Sequence, residues 1–290
     1  MQLIEENKWK SLIESIKTDF NNLETNKERA KRILKEKIIN AVKSNAVNNC
    51  AVLFSGGIDS TLIAFILKKL DVDFTCYSVG LENAQDLQFA EKVAGALSLN
   101  LKTRIITIDE FEQIVKKVTK ILNEPDVMKV GVGSVVYAAS LLAKKDNKQV
   151  IFSGLGSEEI FAGYQRHEEA LDKGFAVVHE ECLNGLKDMW QRDLKRDVLI
   201  ANNIGVELKL PFLDINVIKA AMNIHPVYKI DKTTKKIIIR EIAEDLGIPK
   251  EIACRPKKAA QYGSKFILGM DKLAKKNGFK LKKDYLNSLL

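Results

Sequence analysis

Two short strings in this 290-residue chain carry residue types suited to phosphate and a divalent cation. The first is Ser55-Gly56-Gly57-Ile58-Asp59-Ser60-Thr61, placed directly after the apolar run AVLF and directly before LIAFILKKL. Paired glycines at a strand-to-helix turn let backbone N–H groups approach an anion closely, and the helix N-terminus adds partial positive charge. Ser55, Ser60 and Thr61 can donate hydroxyl hydrogen bonds to the same phosphate, while Asp59 can hold Mg2+. The same letters also describe a tight turn with a serine N-cap, which is common in α/β proteins. Neither GxxxxGK(S/T) nor GxGxxG is present here, which argues against a kinase-like P-loop and against a dinucleotide site.

The second string runs from Ser153 through Gly154, Leu155, Gly156, Ser157, Glu158, Glu159, Ile160, Phe161, Ala162 and Gly163 to Tyr164, after the apolar run QVIF. It is another glycine-rich strand exit, now with paired carboxylates. Ligands of open α/β sheets gather at the carboxyl ends of the strands, so both loops should face one crevice. Glu158 or Glu159 can then complete a Mg2+ site with Asp59. The other reading is a helix start, with Ser157 as N-cap and acidic residues favoured in the first turn.

The elements that must position these strings are legible as alternation. CAVLF, DFTCYSV, KTRIITI and QVIFS are short runs rich in β-branched and aromatic residues. Between them lie the helical patterns STLIAFILKKL, LQFAEKVAGALSL, EFEQIVKKVTKIL and GSVVYAASLLAKK. Strand–helix alternation implies right-handed crossovers, and hence an α/β fold with a mostly parallel, doubly wound sheet covered on both faces. Residues 1–46 read as an N-terminal extension of two amphipathic helices, with apolar residues such as Trp9, Ile13, Ile33, Leu34 and Ile38 at spacings of three and four. Residues 47–170 form the α/β core. From 171 to 290 helical patterns dominate, giving a C-terminal helical lobe in which KKIIIREIAEDLG is closed by Gly247 and Pro249.

VLFSGGIDST resembles the SGGxDS loop of the PP-loop ATP pyrophosphatases. The string from Ser153 to Tyr164 resembles the corresponding segment of the synthetase domain of asparagine synthetase. Three further matches follow in the family's order: Arg196-Asp197, the stretch ELKLPFLD from Glu207 to Asp214, and KKIIIRE followed by Ile248-Pro249 and RPKKAAQYGS. The resemblance spans roughly residues 50–265, and with Leu155, GYQRH and AAQYGS it is strongest toward the asparagine-synthetase-domain-containing proteins. It implies ATP and Mg2+ as cofactors, with Ser55, Gly56, Gly57, Asp59 and Ser60 binding pyrophosphate and the metal. By the same resemblance, backbone around Val79-Gly80 and Ser153-Gly154 receives the adenosine, Asp59 and Glu158 serve the metal, and Lys257 neutralises charge on the reacting phosphate. Arg240 either supports the phosphate region or forms an ordinary ion pair. Standing alone, Lys257-Lys258 would read as a solvated pair.

Two departures bear on the acceptor. Met1 is followed by Gln2 and not by a nucleophilic cysteine, so nitrogen is expected as free ammonia or from a separate glutaminase chain. Leu155 stands where the resemblance puts a glutamate beside the acyl-adenylate, and leucine can neither take a proton nor orient an amine. The leading expectation is an amide-forming ligase that adenylates a small-molecule carboxylate, by default aspartate. The alternatives are an enzyme that adenylates a base carbonyl of tRNA, and a nucleotide-binding regulatory partner.

Composition bounds these readings without choosing among them. A net charge of +8 suits an anionic partner as well as it suits ordinary solvated lysines, and clusters such as Lys235-Lys236 and Lys282-Lys283 lack interleaved aromatics. Cys50, Cys76, Cys182 and Cys254 are scattered without metal-ligand spacing, and read as free thiols. The N-terminal stretch lacks a signal-peptide pattern, and no long apolar run stands out as a membrane span, so a cytoplasmic protein without a membrane partner is expected.

Overall fold

A computed structural model describes residues 3–255 and 259–290. Five short strands pair in parallel: β1 (Cys50–Leu53), β2 (Phe74–Gly80), β3 (Leu101–Ile105), β4 (Val150–Phe152) and β5 (Glu207–Lys209). Their order across the sheet is β3-β2-β1-β4-β5. The chain steps outward from β1 to β3 and then returns to the other side of β1 for β4. That reversal creates a crevice outside the carboxyl ends of β1 and β4.

Helices α1 (Glu6–Ser15) and α2 (Lys27–Lys43) precede the sheet, and α3 (Ile58–Lys69), α4 (Gln85–Ala96), α5 (Ile108–Leu122) and α6 (Val127–Lys145) connect its first four strands. After β4 come α7 (Ser157–Ile160), α8 (Gln165–Leu171), α9 (Phe175–Met189) and α10 (Lys195–Ile204). Beyond β5 the chain is helical: α11 (Ile215–Met222), α12 (Ile237–Leu246), α13 (Lys250–Ala253), α14 (Ala260–Gly263), α15 (Phe266–Lys276) and α16 (Lys282–Asn287).

Alternation along the strands divides the core. Cys50 and Val52 face a large cluster that also holds Leu34 and Ile38 of α2, Leu62 and Ile63 of α3, and Ile238 and Ile242 of α12. On the opposite face, Ala51 packs with Tyr77 and Ile151, and Val79 with Phe111, Val115 and Phe266. Period-two side-chain direction thus puts helices on both sides of the sheet, as a doubly wound fold requires. β5 lies within the stretch read from sequence as helical; Glu207–Lys209 is too short for a periodic signal, and its strand conformation comes from pairing with β4.

The N-terminal helices are integral to the larger cluster. Trp9, buried against α9, donates its indole N–H to the Leu186 carbonyl at 2.7 Å, and Trp190 donates to the Ile4 carbonyl at 2.7 Å. α6 is long and apolar enough, by length and composition alone, to cross a membrane, but half of that stretch is buried inside the fold, against α5, α10 and β2.

Candidate active site at the ends of β1 and β4

The loop from Ser55 to Gly57 follows β1 at the crevice and leads directly into α3. Gly56 has φ +64°, and a Cβ there would lie 2.9 Å from the Phe89 carbonyl of α4, so both the left-handed backbone and the close approach demand glycine. Gly57 caps α3, whose first turn carries Asp59 and Ser60. Ser60 Oγ accepts from the Ser55 N–H at 3.4 Å and donates to the Gly57 carbonyl at 3.3 Å, which fastens the two ends of the loop together.

Across the crevice, Ser153 and Gly154 leave β4. A Cβ on Gly154 would lie 2.8 Å from Asp59 Cβ, so the absent side chain lets the two loops touch. Gly156, at φ +96°, turns the chain into α7. Ser157 Oγ then donates to Asp59 Oδ1.

The structure places a cation at this junction that the sequence reading passed over. Lys236 donates from Nζ to both oxygens of Asp59 at 2.8 Å, to Ser157 Oγ at 3.1 Å, and pairs with Glu158 Oε1 at 2.9 Å. Its ammonium is buried, with 4% of the residue exposed. Burial is the largest single influence and opposes the charge, yet Asp59 and Glu158 together outweigh it and hold the lysine above its ordinary range. Lys236 also adopts φ +60° at the N-cap of α12. A non-glycine residue in that region persists only where its surroundings over-determine it.

The two acidic candidates separate cleanly. Glu158 joins Asp59 through Lys236. Glu159 instead turns into the interior, where Arg192 and the Tyr164 hydroxyl, the latter at 2.8 Å, both donate to its Oε1. Burial and the neighbouring Asp193 push its carboxyl up to about 7 against the pull of Arg192 and Tyr164. Arg192 belongs to a π-helical turn, Trp190–Leu194, between α9 and α10. Arg196-Asp197 lies one turn further as a buried pair at 2.7 Å, with Arg196 also held by Asp193 at 2.8 Å. Arg192 thus braces α7 from behind through Glu159.

The remaining candidates fall as follows. Val79 and Gly80 end β2, where the Gly80 carbonyl accepts from the Ile106 N–H at 2.8 Å. Beside them, a groove of about 720 Å3 is lined in part by Leu81, Ile105, Leu268 and Lys272. The Ser153 N–H donates to the Lys209 carbonyl at 3.0 Å, which ties the exit of β4 to β5. Leu155 is half-buried and packs against the larger core cluster. Lys257, with its neighbours Pro256 and Lys258, lies outside the described residues.

Asp59 and Glu158 converge on one ammonium, so the pair already accepts a cation. No group of three or more metal-ligating side chains occurs among the described residues. Two carboxylates without further protein ligands suit Mg2+, which keeps waters and takes its other oxygens from substrate phosphates.

An open parallel sheet with a glycine-rich loop feeding a helix at its switch point defines an α/β protein whose site is built from loops on either side of that point. The Asparagine synthase family model matches residues 34–177 and 172–278. A provisionally named glutamine-hydrolysing asparagine synthetase of Methanocaldococcus jannaschii is 35% identical over 305 residues, covering 91% of this chain and 56% of the relative. The glutamine-hydrolysing asparagine synthetases of Gallus gallus and Homo sapiens are 31% and 30% identical, covering 86% and 89% of this chain and 45% and 46% of their own lengths. Among solved structures, an NMN synthetase from Francisella tularensis matches with a TM-score of 0.44 and 12% identity, covering 91% of this chain and 94% of that one. The chain belongs to the asparagine synthase family. It spans about half the length of the curated relatives it matches.

Proposed function

We propose that this chain is the ATP-using half of an amide-forming ligase: it adenylates a carboxylate, releases pyrophosphate, and delivers the acyl-adenylate to ammonia or an amine. The observation that carries this reading is the junction of Asp59, Lys236 and Glu158 at the N-terminus of α3, between the loops after β1 and β4. Membership of the asparagine synthase family supports this reaction class.

In this reading the backbone of Ser55, Gly56 and Gly57, with the N-terminal end of α3, receives the β- and γ-phosphates, and Ser60 steadies the loop. Asp59 and Glu158 would hold Mg2+ in exchange for part of their contact with the Lys236 ammonium, and the ion would neutralise charge on the departing pyrophosphate. Lys236 contributes a fixed positive charge at the same place, and buried preorganised charge of this kind is often the largest catalytic contribution. Lys257 is assigned the reacting phosphate on the family pattern. Val79, Gly80, Ser153 and Gly154 bound the adenosine. Aspartate is the default acid, and nitrogen arrives as ammonia or from a separate glutaminase chain. Leu155, packed against the larger core cluster, supplies no carboxylate, which favours an acid or amine that asks for none there. Sulfur transfer to tRNA is less well supported, because burial pushes the thiols of Cys50, Cys76 and Cys182 above their ordinary range, and the exposed Cys254 is raised as well.

ATP–pyrophosphate exchange with Mg2+ tests this directly, scanning aspartate, other carboxylic acids and bulk tRNA. Exchange that depends on one acid and is lost in Asp59→Ala and Lys257→Ala supports the ligase. Exchange driven only by tRNA would move the assignment to RNA modification, and ATP binding without exchange to a regulatory partner.

A further inference from the structure

Arg240 makes contacts that no ordinary ion pair explains. Its Nε donates to the Lys235 carbonyl at 2.8 Å, and its Nη1 donates to the carbonyls of Ala253 and, at 3.3 Å, Arg255. The guanidinium therefore joins two separate segments: the backbone immediately before Lys236, and the end of α13. Arg255 continues the connection. Its Nη1 donates to the Gly56 carbonyl at 3.2 Å, and its guanidinium lies 3.6 Å from the centre of the Phe89 ring. Phe89 is the residue whose backbone carbonyl already crowds Gly56 from the α4 side.

Followed in order, these contacts close on themselves. Gly56 is held by Arg255, the Arg255 backbone by Arg240, Arg240 also holds Lys235, and the next residue, Lys236, binds Asp59, which lies three residues beyond Gly56 in the first turn of α3. A closed ring fixes relative positions that an open chain of contacts would let drift. It also accounts for Lys236 keeping a left-handed backbone: the residue is pinned through its ammonium on one side and through the preceding carbonyl on the other.

We propose that Arg240 and Arg255 are positioning residues that hold Lys236 in register with the phosphate loop. The assignment of catalytic purpose rests on the ATP reading above; the mechanical coupling does not. Only a guanidinium does this at position 240, because its nitrogens point from one rigid plane toward two segments at once. Lysine at 240 keeps the charge but cannot span both.

Hydrogen exchange on the ligand-free protein tests the coupling. In Arg240→Lys, amides of the phosphate loop at 55–58 should exchange about tenfold faster although Arg240 does not touch them, together with those near Lys235 and Arg255. Arg255→Lys should speed the same loop and also loosen the Lys235–Ile237 backbone. Acceleration confined in each variant to the residues its own side chain touches would overturn the ring. Melting curves identify a variant that has simply lost its fold, and in that case the second variant decides. The kinetic arm uses ATP–pyrophosphate exchange with the acid that supports it. Arg240→Lys should lower kcat by about 10²-fold with the KM for ATP changed less than about threefold, since misplacing a charge used in the transition state costs rate more than binding. An equal loss spread into KM, or full activity, would overturn the positioning role. If the wild-type protein shows no exchange at all, the ATP reading fails, while hydrogen exchange still decides whether the two arginines couple the loop to Lys236.

Discussion

Gly163 shows how tightly the candidate site is set at the level of single residues. A Cβ there would lie 1.8 Å from Glu158 Oε2 and 2.5 Å from Lys236 Cε, both impossible distances. Gly163→Ala therefore has to displace the Glu158 carboxylate, the Lys236 side chain or both. The expected result is a loss of about 10²-fold in ATP–pyrophosphate exchange, as for other ångström-scale misplacements, with a destabilisation of about 1–3 kcal/mol from overpacking. Exchange rates and urea melts read the two effects separately, and an alanine variant with unimpaired exchange would show that the Glu158–Lys236 contact is dispensable. At this scale the sequence was informative about backbone and poor about partners. Paired glycines and acidic residues at strand exits could be read because their chemistry is local. Lys236 could not, because Lys235-Lys236 has the look of a solvated pair and becomes a site only when α12 is folded against α3. Glu158 and Glu159 are equivalent as letters, and only the turn of α7 sends one to Lys236 and the other to Arg192.

Among the elements, legibility followed length and period. The four strands of CAVLF, DFTCYSV, KTRIITI and QVIFS stand out as β-branched runs between helical patterns, and each supplies a strand. β5 has three residues and no run of its own, so its place at the sheet edge depends on β4. The helices of the N-terminal stretch declare an apolar face but not what covers it. In the structure α1 packs on α9, and the buried Trp9 anchors it through the Leu186 carbonyl. Trp9→Phe keeps an aromatic ring but removes the indole donor, so one buried hydrogen bond is lost at a cost of about 0.5–1.5 kcal/mol. Denaturant melts should show that loss while ATP–pyrophosphate exchange well below the melting temperature is preserved. A parallel fall in activity under those conditions would mean that α1 shapes the site through α9 rather than only stabilising the fold.

Across the whole molecule, the charge that the sequence reports only as a total acquires a location. The three histidines all lie near Lys229, a fully buried lysine, and all are held below their ordinary range, with burial the largest cause in each case. His167 is the extreme: it is fully buried, its Nδ1 accepts from the Tyr164 N–H at 3.1 Å, and burial followed by Arg166, Lys229, Lys235 and Arg192 pushes it down to about 3. The unfolded chain binds a proton at this histidine below about pH 6.5, whereas the folded chain does not until far lower. Stability at this site is therefore complete above the unfolded value and is lost as pH falls toward the folded one. Glu159, pushed up to about 7, acts in the opposite sense over part of the same range, so the raw pH profile of the protein mixes the two. The difference between wild type and His167→Asn removes that mixture, because asparagine can place an acceptor oxygen near Nδ1 yet does not titrate. Between pH 7.5 and pH 5 the wild type should lose about 2 kcal/mol more than the variant. Urea melts at both pH values measure it, and equal losses would mean that the folded protein admits a proton at His167 and that the basic surroundings do not reach it. Burial does most to keep a proton off His167, and Arg166, Lys229, Lys235 and Arg192 add to it, so this is the place in the fold where positive charge bears on acid stability.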